Sequence, residues 1–392
     1  MKESIKKNRL IFIFPLLFIF YCLIGLSGYG YRYDIYYMIH TGRNFILNGV
    51  YFPSRQPGYL IPEIAIGWFS LVGGFYLSNF ISSLLGAGTL YLFWHMLKEK
   101  FSASIAFLTI LIIGLNPYFV IEVSSSTDRV YSLFFAMAGT VLLVKRKDLF
   151  ASLAFALAIS SRLPNILVIF PVYLYFIYIY AREKSFKSLS HVIISGILTL
   201  SLTALLFLPI YLAYGSRFWF LLHYNDAGPW AFSGHLIRFI YKNICLFGLL
   251  PFIMSVGFIL WRFFKRQVRI QLTPVFLTAL LIIVACEILF FRVPCQISYL
   301  LPLIFVIVPL WVFVCRPDRI ALCILLALTV SHGFLVNVDM LDITYNKAGT
   351  EAIAADVGIF LKPGVVIKDI KQRPETAKLF PPPQYEYKNV SS

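Results

Sequence analysis

Long apolar stretches separated by short polar segments make up most of this chain. The first runs from Leu10 to about Gly28, after a basic N-terminus. The others lie at about 75 to 97, 104 to 121, 129 to 144, 149 to 163, 165 to 181, 188 to 214, 243 to 261, 271 to 291, 296 to 315 and 320 to 338. Apolar helices of about 20 residues cross a bilayer. The pattern predicts an all-α polytopic membrane protein with about eleven transmembrane helices.

One apolar region is too long for a single span. Residues 61 to 97 would form a helix of roughly 55 Å, against about 30 Å of hydrocarbon. The pair Gly73-Gly74 interrupts this region, and the part before the pair is too short to cross a membrane. We therefore predict an interfacial helix at 62 to 72 in the first outer loop, followed by one span.

A second region, 149 to 181, contains a Ser-Ser-Arg-Leu-Pro breaker at 160 to 164 that favours two short spans. The distribution of basic residues supports this division, because Lys and Arg collect in short cytoplasmic loops. With two crossings here, the basic clusters at 182 to 187, 262 to 269 and 316 to 319 fall on the same side as the N-terminus. The predicted topology places the N-terminus in the cytoplasm and the C-terminus outside a plasma or inner membrane.

Composition and charge narrow the class further. Of 392 residues, 59% are hydrophobic and 13% are charged, whereas ordinary soluble domains carry about 25% charged residues. The formal net charge of +16 lies mostly in the predicted cytoplasmic loops, so it is a topology signal and nucleic acid is not expected as a partner. We predict a membrane domain at 1–338, with its first outer loop at 29–74. A non-cytoplasmic tail at 339–392 is expected to pack against the outer loops.

Asp34 is the only carboxylate between residues 31 and 59, in a segment rich in tyrosine and arginine. One interpretation is a general base, an ionised carboxylate near cations that takes a proton from an acceptor hydroxyl. The other is structural, either a helix N-cap or a surface ion pair with Arg32. The residues alone leave both interpretations open.

A second acid, Asp128, opens the apolar stretch at 129 to 144, and Glu122 precedes it at the same predicted surface. An Asp in the first turn of a helix caps free N–H groups and interacts well with the helix dipole. The alternative is that Asp128 faces the same outer cavity as Asp34 and orients a sugar hydroxyl or a second group. Nothing in the local sequence decides between these roles.

Three arginines, Arg55, Arg162 and Arg292, lie in predicted outer turns beside apolar helices. Each guanidinium is long enough to snorkel to lipid headgroups. Several converging on one face would instead clamp a phosphate with paired N–H groups. The chain has no Walker A loop and no Rossmann glycine pattern, so a nucleotide-linked substrate has no support.

The order of several short motifs resembles that of a known enzyme family. The motifs are the outer-loop Asp34, Asn48-Gly49-Val50-Tyr51, Ser54-Arg55-Gln56-Pro57-Gly58-Tyr59, Asn116-Pro117-Tyr118-Phe119, Ser126-Thr127-Asp128-Arg129, Ser161-Arg162-Leu163-Pro164 and Ser298-Tyr299-Leu300-Leu301-Pro302. Together they resemble the polyprenyl-phosphate-dependent membrane glycosyltransferases of the GT-C superfold, such as protein O-mannosyltransferases and aminoarabinose transferases. The resemblance covers roughly residues 10 to 215; beyond that it is mainly hydropathy.

This resemblance implies a glycosyltransferase that moves a sugar, with inversion, from a polyprenyl or dolichyl phosphate to a hydroxyl on a lipid, glycan or protein acceptor. Asp34 matches the catalytic acid of the family's first loop, and Asp128 matches the acid of its second outer loop. The expected phosphate ligands are Arg55, Arg162 and Arg292, and the expected substrate contacts are Tyr33, His40, Tyr59 and Tyr299. Family members often carry two adjacent acids in the first loop. Because Asp34 stands alone and one carboxylate is a poor ligand set, no metal or other cofactor is expected.

Two other classes of function compete with the transferase. A transporter or lipid flippase is supported by the outer arginines and by Glu287, an acid within a predicted span, because ionisable residues in spans often mark transport pathways. A non-catalytic assembly subunit is the third class, with the long tail as its docking element. These classes differ in what they require of Asp34, which only the transferase needs for turnover.

Overall fold

The structure of the protein is a computed structural model that describes residues 10–55, 57–215, 232–267, 272–292, 294, 296–345 and 352–379. The described helices before the tail are α1 (Ile13–Gly25), α2 (Tyr33–Asn48), α3 (Leu60–Leu97), α4 (Ala103–Gly114), α5 (Pro117–Val123), α6 (Asp128–Val144), α7 (Asp148–Ser161), α8 (Ile166–Arg182), α9 (Phe186–Tyr214), α10 (Phe232–Phe247), α11 (Leu249–Phe264), α12 (Pro274–Arg292), α13 (Leu301–Cys315) and α14 (Arg319–Phe334). The tail contains β1 (Val336–Tyr345), β2 (Ala352–Pro363) and α15 (Val365–Leu379).

Five of the described helices are long and apolar enough to cross a membrane: α3, α9, α12, and α8 and α13 with their preceding 3-10 turns. Two further pairs, α4 with α5 and α10 with α11, pass the same test together but bend by 69° and 89° at their breaks. The described part of the chain therefore has five candidate spans, or up to seven if each bent pair is one span. These helices confirm a polytopic helical membrane protein, whereas eleven crossings stay a prediction.

Both breaks that the sequence predicts are present. Within α3, the backbone of Gly73 (φ −137°) and Gly74 (φ +60°) is not helical, so the first part of α3 is separated from the rest. Helix α7 ends at Ser161, and the extended residue Arg162 leads into a short 3-10 turn before α8. Glycine and proline act here as expected, because glycine tolerates a positive φ and Pro164 lacks the N–H that a continuing helix would need.

The apolar stretch at 243 to 261, predicted as one span, is not one continuous helix. Helix α10 ends at Phe247, α11 begins at Leu249, and Gly248 between them has a φ of +88°. A side chain is strained at this φ, and a Cβ at Gly248 would lie 2.6 Å from the ring of His332. The chain thus changes direction by 89° within a stretch that is apolar throughout, which hydropathy does not reveal.

The basic loops between helices contact one another in pairs. The guanidinium of Arg146, after α6, stacks on the ring of Tyr180 near the end of α8 at 4.1 Å. Arg262, near the end of α11, donates to the carbonyl of Arg316, after α13, at 3.4 Å. Loops predicted to be cytoplasmic are thus neighbours in space, and Asp34, Glu122 and Asp128 lie in helices outside these loops.

The tail contains secondary structure that the sequence did not predict. Strands β1 and β2 form an antiparallel hairpin, with Val336 opposite Pro363 and Tyr345 opposite Ala352. Because β1 begins two residues after α14, the predicted domain boundary at 338/339 falls inside a strand. Helix α15 follows the hairpin and packs against α5 and α14. Residues 380 to 392 lie outside the described residues.

A close crossing of α2 and α3 provides a first test of the fold. A Cβ at Gly42 would lie 2.0 Å from the carbonyl oxygen of Glu63 and 2.8 Å from the Cα of Gly67. Gly42→Ala is therefore expected to push α2 away from α3 and to lower the free energy of unfolding by roughly 1–3 kcal/mol, measured by thermal unfolding in detergent. Gly257→Ala is the matched control, because a Cβ there meets open space. An equal loss in both variants would contradict the close crossing.

Candidate functional site

Asp34 lies in the first turn of α2, where its carboxylate faces other segments of the chain. Its Oδ2 pairs with Nη1 of Arg55 at 2.9 Å and with Nη2 of Arg129 at 3.8 Å. The side-chain amide of Gln296 donates to the same oxygen at 3.4 Å. The N-cap residue of α2 is Arg32, which pairs with Glu122. The contacts of Asp34 thus differ from both structural interpretations, which were an N-cap and an ion pair with Arg32.

Asp128 is the first residue of α6 and is fully buried. Its Oδ2 pairs with Nη2 of Arg55 at 3.0 Å and with Nη1 of Arg162 at 3.4 Å. Burial would raise the pKa of this carboxyl, but the charges of Arg55, Arg162 and Arg129 outweigh burial and lower the pKa to about 2. Asp128 is therefore an ionised group that holds two arginines side by side.

Two residues without a role in the sequence-based prediction join the site. Arg129 follows Asp128, pairs with Glu122 at 3.2 Å and donates to the side-chain oxygen of Gln296. Gln296, just before α13, in turn donates to Asp34. The position of Arg129 next to an acid at the start of an apolar stretch was a usable signal. For Gln296 the sequence contains no comparable signal.

Four guanidinium groups and three carboxylates form a connected arginine–carboxylate network: Arg32, Arg55, Arg129 and Arg162 with Asp34, Glu122 and Asp128. Counted over the described residues, the network therefore carries one more positive than negative charge. Its side chains range from fully buried, for Asp128 and Glu122, to 20% exposed, for Arg55. An uncompensated charge in a low-dielectric environment is costly. The network is thus electrostatically suited to an anionic ligand.

The loop that carries Arg55 is held by another residue absent from the prediction, Glu63 on α3. The Glu63 carboxylate is fully buried and accepts from the backbone N–H groups of Ser54 at 3.0 Å and Tyr59 at 3.3 Å. It also accepts from the hydroxyls of Ser54 and Tyr51. One buried carboxylate therefore determines the shape of the segment on both sides of Arg55.

Aromatic rings lie against the two arginines that Asp128 holds. The guanidinium of Arg55 lies 5.3 Å from the ring centre of Tyr59, and that of Arg162 lies 4.6 Å from the ring of Tyr299. Burial raises the pKa of Tyr59 to about 12, against the opposing effect of the two nearby arginines, so its hydroxyl stays protonated at neutral pH. The structure thus brings two of the three predicted tyrosines, Tyr59 and Tyr299, to the arginine–carboxylate network.

Three other predicted site residues have different surroundings. Arg292 is exposed at the C-terminal end of α12 and is not among the described ion-pair partners of the three network carboxylates. Tyr33 precedes Asp34 and is 42% exposed. His40 lies six residues after Asp34, roughly 240° further around the helix. Their predicted roles in phosphate and substrate binding stay predictions.

The fold and the site define a class of molecule: a polytopic helical membrane protein with a buried arginine–carboxylate network formed by helix ends and by the segments between helices. Comparison of the chain with protein families, curated proteins and solved structures finds no match. Within the described ranges, no three His, Cys, Asp or Glu side chains are grouped as the ligands of a metal ion. The network is therefore the feature from which a function can be inferred.

Proposed function

We propose that this protein is a glycosyltransferase that uses a polyprenyl-phosphate-linked sugar as donor. The observation that carries the proposal is the excess positive charge of the arginine–carboxylate network. A lipid-linked phosphate brings its anionic group to the membrane surface while its chain stays among apolar helices. Guanidinium groups bind such a phosphate with paired hydrogen bonds.

Arg162 and Arg55 are the proposed phosphate ligands. The guanidinium of Arg162 makes one described hydrogen bond, to Asp128 at 3.4 Å, so this group has further N–H donors for a ligand. Arg55 divides its two terminal nitrogens between Asp34 and Asp128. Cations held in place before the reaction stabilise the charge that develops on a leaving phosphate. Asp128 contributes by positioning both arginines.

Asp34 is the proposed general base. Its side chain is 19% exposed, whereas those of Asp128 and Glu122 are fully buried, so an acceptor hydroxyl has access to Asp34. In the proposed step, Asp34 takes the hydroxyl proton and the acceptor oxygen attacks the anomeric carbon. The bond from this carbon to the phosphate oxygen breaks, and polyprenyl phosphate leaves with the electron pair. Attack opposite the leaving group inverts the anomeric configuration.

The proposed topology has eleven crossings, with the arginine–carboxylate network on the non-cytoplasmic face. Two observations support it. The basic loops that the positive-inside rule assigns to the cytoplasm contact one another, and none of their described residues is part of the network. A hydrophobic sugar carrier of this kind presents its headgroup at the membrane surface, where the network would receive it.

The test of the function uses purified protein and a panel of polyprenyl-phosphate sugars, with release of free polyprenyl phosphate as the readout. At least one donor is expected to release lipid phosphate in the presence of a hydroxyl acceptor. The control replaces the donor by the corresponding polyprenyl phosphate without a sugar. Binding without release across the panel, together with movement of the lipid between leaflets in proteoliposomes, would contradict the transferase and favour a flippase.

Arg162→Lys tests the phosphate ligand. A lysine keeps the charge but lacks the planar fork that stacks on Tyr299, so we expect the KM for the donor to rise about tenfold, equivalent to roughly 1.4 kcal/mol. The matched control is Arg292→Lys, at the exposed end of α12, with a KM expected within about twofold of the unmodified protein. A larger effect in Arg292→Lys than in Arg162→Lys would assign the phosphate to Arg292 instead.

A further inference from the structure

The C-terminal helix α15 inserts a charged side chain into the membrane domain. Arg373 is 1% exposed and is among the largest fully buried side chains of the described chain. Asp369, one helical turn earlier on the same face, pairs with its Nη2 at 2.6 Å. Burying an ion pair costs desolvation free energy that only good geometry and further hydrogen bonds offset. Such a costly arrangement needs a structural or functional reason.

The guanidinium of Arg373 joins two turns that are distant in sequence. It donates to the carbonyl of Ser124 and to the hydroxyls of Ser124 and Ser125, each at 3.0 Å. It also approaches the carbonyls of Gly28 at 3.4 Å and Ile24 at 3.5 Å. The turn at Ser124 and Ser125 follows α5, and the turn at Gly28 follows α1. One side chain of the tail therefore connects both turns.

These two turns carry the arginine–carboxylate network. The turn at Gly28 leads directly to Arg32 and Asp34, and the Ser124-Ser125 turn separates Glu122 from Asp128. Asn79 also links the two turns: its amide group donates to the carbonyls of Gly25 and Gly28, and its side-chain oxygen accepts from the hydroxyl of Ser126 at 2.8 Å. The backbone N–H of Ser126 donates to the carbonyl of Tyr29 at 3.1 Å. Arg373 adds a further connection from the tail, so its contacts contribute to the separation of the two network-bearing segments.

We propose that Arg373 is a positioning residue, and that α15 is an integral part of the functional site. Arg373 holds the two turns at the separation that lets Arg32 and Arg129 share Glu122, and Arg55 share Asp34 and Asp128. The kinetic consequence rests on the proposed function, whereas the effect on the two turns does not. Arg373 accordingly acts on the reaction from a distance, through the two turns.

A simpler explanation is that Arg373 only neutralises Asp369. The two explanations differ in the double variant Asp369→Asn/Arg373→Gln, which removes both buried charges and leaves no uncompensated one. If neutralisation is the whole role, the double variant recovers the behaviour of the unmodified protein. If Arg373 holds the two turns together, the double variant stays impaired, because its hydrogen bonds to Ser124 and Ser125 are still missing.

Hydrogen exchange of the full-length protein in detergent measures the turns directly. In Arg373→Gln, amide exchange in peptides covering 24 to 32 and 122 to 129 is expected to accelerate at least about tenfold, and to stay fast in the double variant. Lys371→Gln is the matched control, because it removes the same charge from an exposed position on the same helix, and no change is expected. Unchanged exchange in Arg373→Gln, or full recovery in the double variant, would overturn the proposal.

Two further measurements keep the result interpretable. If Arg373→Gln does not fold, Arg373→Lys replaces it, because a lysine keeps the charge beside Asp369 but lacks the planar guanidinium. This variant should fold and still show accelerated exchange in both turns. Normal exchange in both turns would overturn the proposal. With a productive donor, kcat in Arg373→Gln should fall at least about tenfold, while kcat in Lys371→Gln stays unchanged. If no donor reacts with the unmodified protein, the proposed function fails, and the exchange measurement still decides the role of Arg373.

Discussion

Asp34→Asn is expected to lower the turnover number for sugar transfer by about a thousandfold, within the range of roughly 10² to 10⁴ that a general base contributes. The amide has nearly the shape of the carboxylate but does not take a proton from the acceptor hydroxyl. Donor binding should persist, because the arginines keep their donors and the network becomes more positive. The measurements are release of polyprenyl phosphate for turnover and equilibrium binding of a non-transferable donor analogue.

The control for this variant is Asp356→Asn, which removes the same charge from an exposed position in the hairpin. Its turnover number should match that of the unmodified protein. If Asp34→Asn transferred sugar within about twofold of the unmodified protein, Asp34 would not be the base. A loss of donor binding with an unchanged rate for bound donor would make Asp34 a binding group instead.

Asp128→Asn is expected to destabilise the protein strongly. The carboxylate is fully buried between Arg55 and Arg162, so its neutralisation leaves two guanidinium groups without their shared counter-charge. Removing one partner from a buried ion pair typically costs about 3–5 kcal/mol. Thermal unfolding in detergent should show this loss. Asp342→Asn, whose ion pair with Lys362 is half exposed, should cost at most about 1 kcal/mol.

The pH dependence of unfolding provides a second measurement on the same variant. The pKa of Asp128 is lowered from 3.8 to about 2 in the folded protein, so the ionised carboxylate stabilises the fold at pH values above about 4. This contribution, of the order of 2 kcal/mol, should disappear as the pH falls from about 4 towards 2. The unmodified protein should therefore lose more stability than Asp128→Asn between pH 5 and pH 3. Parallel pH profiles would contradict the ion pairing of Asp128.

Local signals in the sequence predicted the helical breaks and several site residues. Gly73-Gly74 and Pro164 interrupt helices because glycine tolerates a positive φ and proline has no N–H to donate within a helix, and both effects are intrinsic to the residues. Asp34, Arg55 and Arg162 were distinguished because charged side chains are rare beside apolar helices. In the structure Arg55 pairs with Asp34, and Asp128 pairs with both Arg55 and Arg162. The bend at Gly248 was not predicted, because the stretch around it is uniformly apolar.

The sequence did not predict the contacts between distant segments. Glu63 was not distinguished from an ordinary surface acid, although it is fully buried and holds the loop of Arg55. Gln296 approaches Asp34 across 262 positions of the chain, and Arg373 approaches Ser124 across 249. Hydropathy shows which segments are long and apolar enough to cross a membrane, but it contains no information on which helices are neighbours.

The sequence by itself determined the class of environment, the positions of most helices and the few charged residues available for chemistry. Apolar length and backbone preference are properties of short segments, so these features require no knowledge of packing. Only the tertiary structure decided which charges compensate one another, and hence that four arginines face three carboxylates with one positive charge in excess. The attraction between two opposite charges weakens with distance and with exposure to water, so it depends on which side chains the fold brings together. The charge of the site is therefore a property of the packed helices and of the C-terminal helix that holds them.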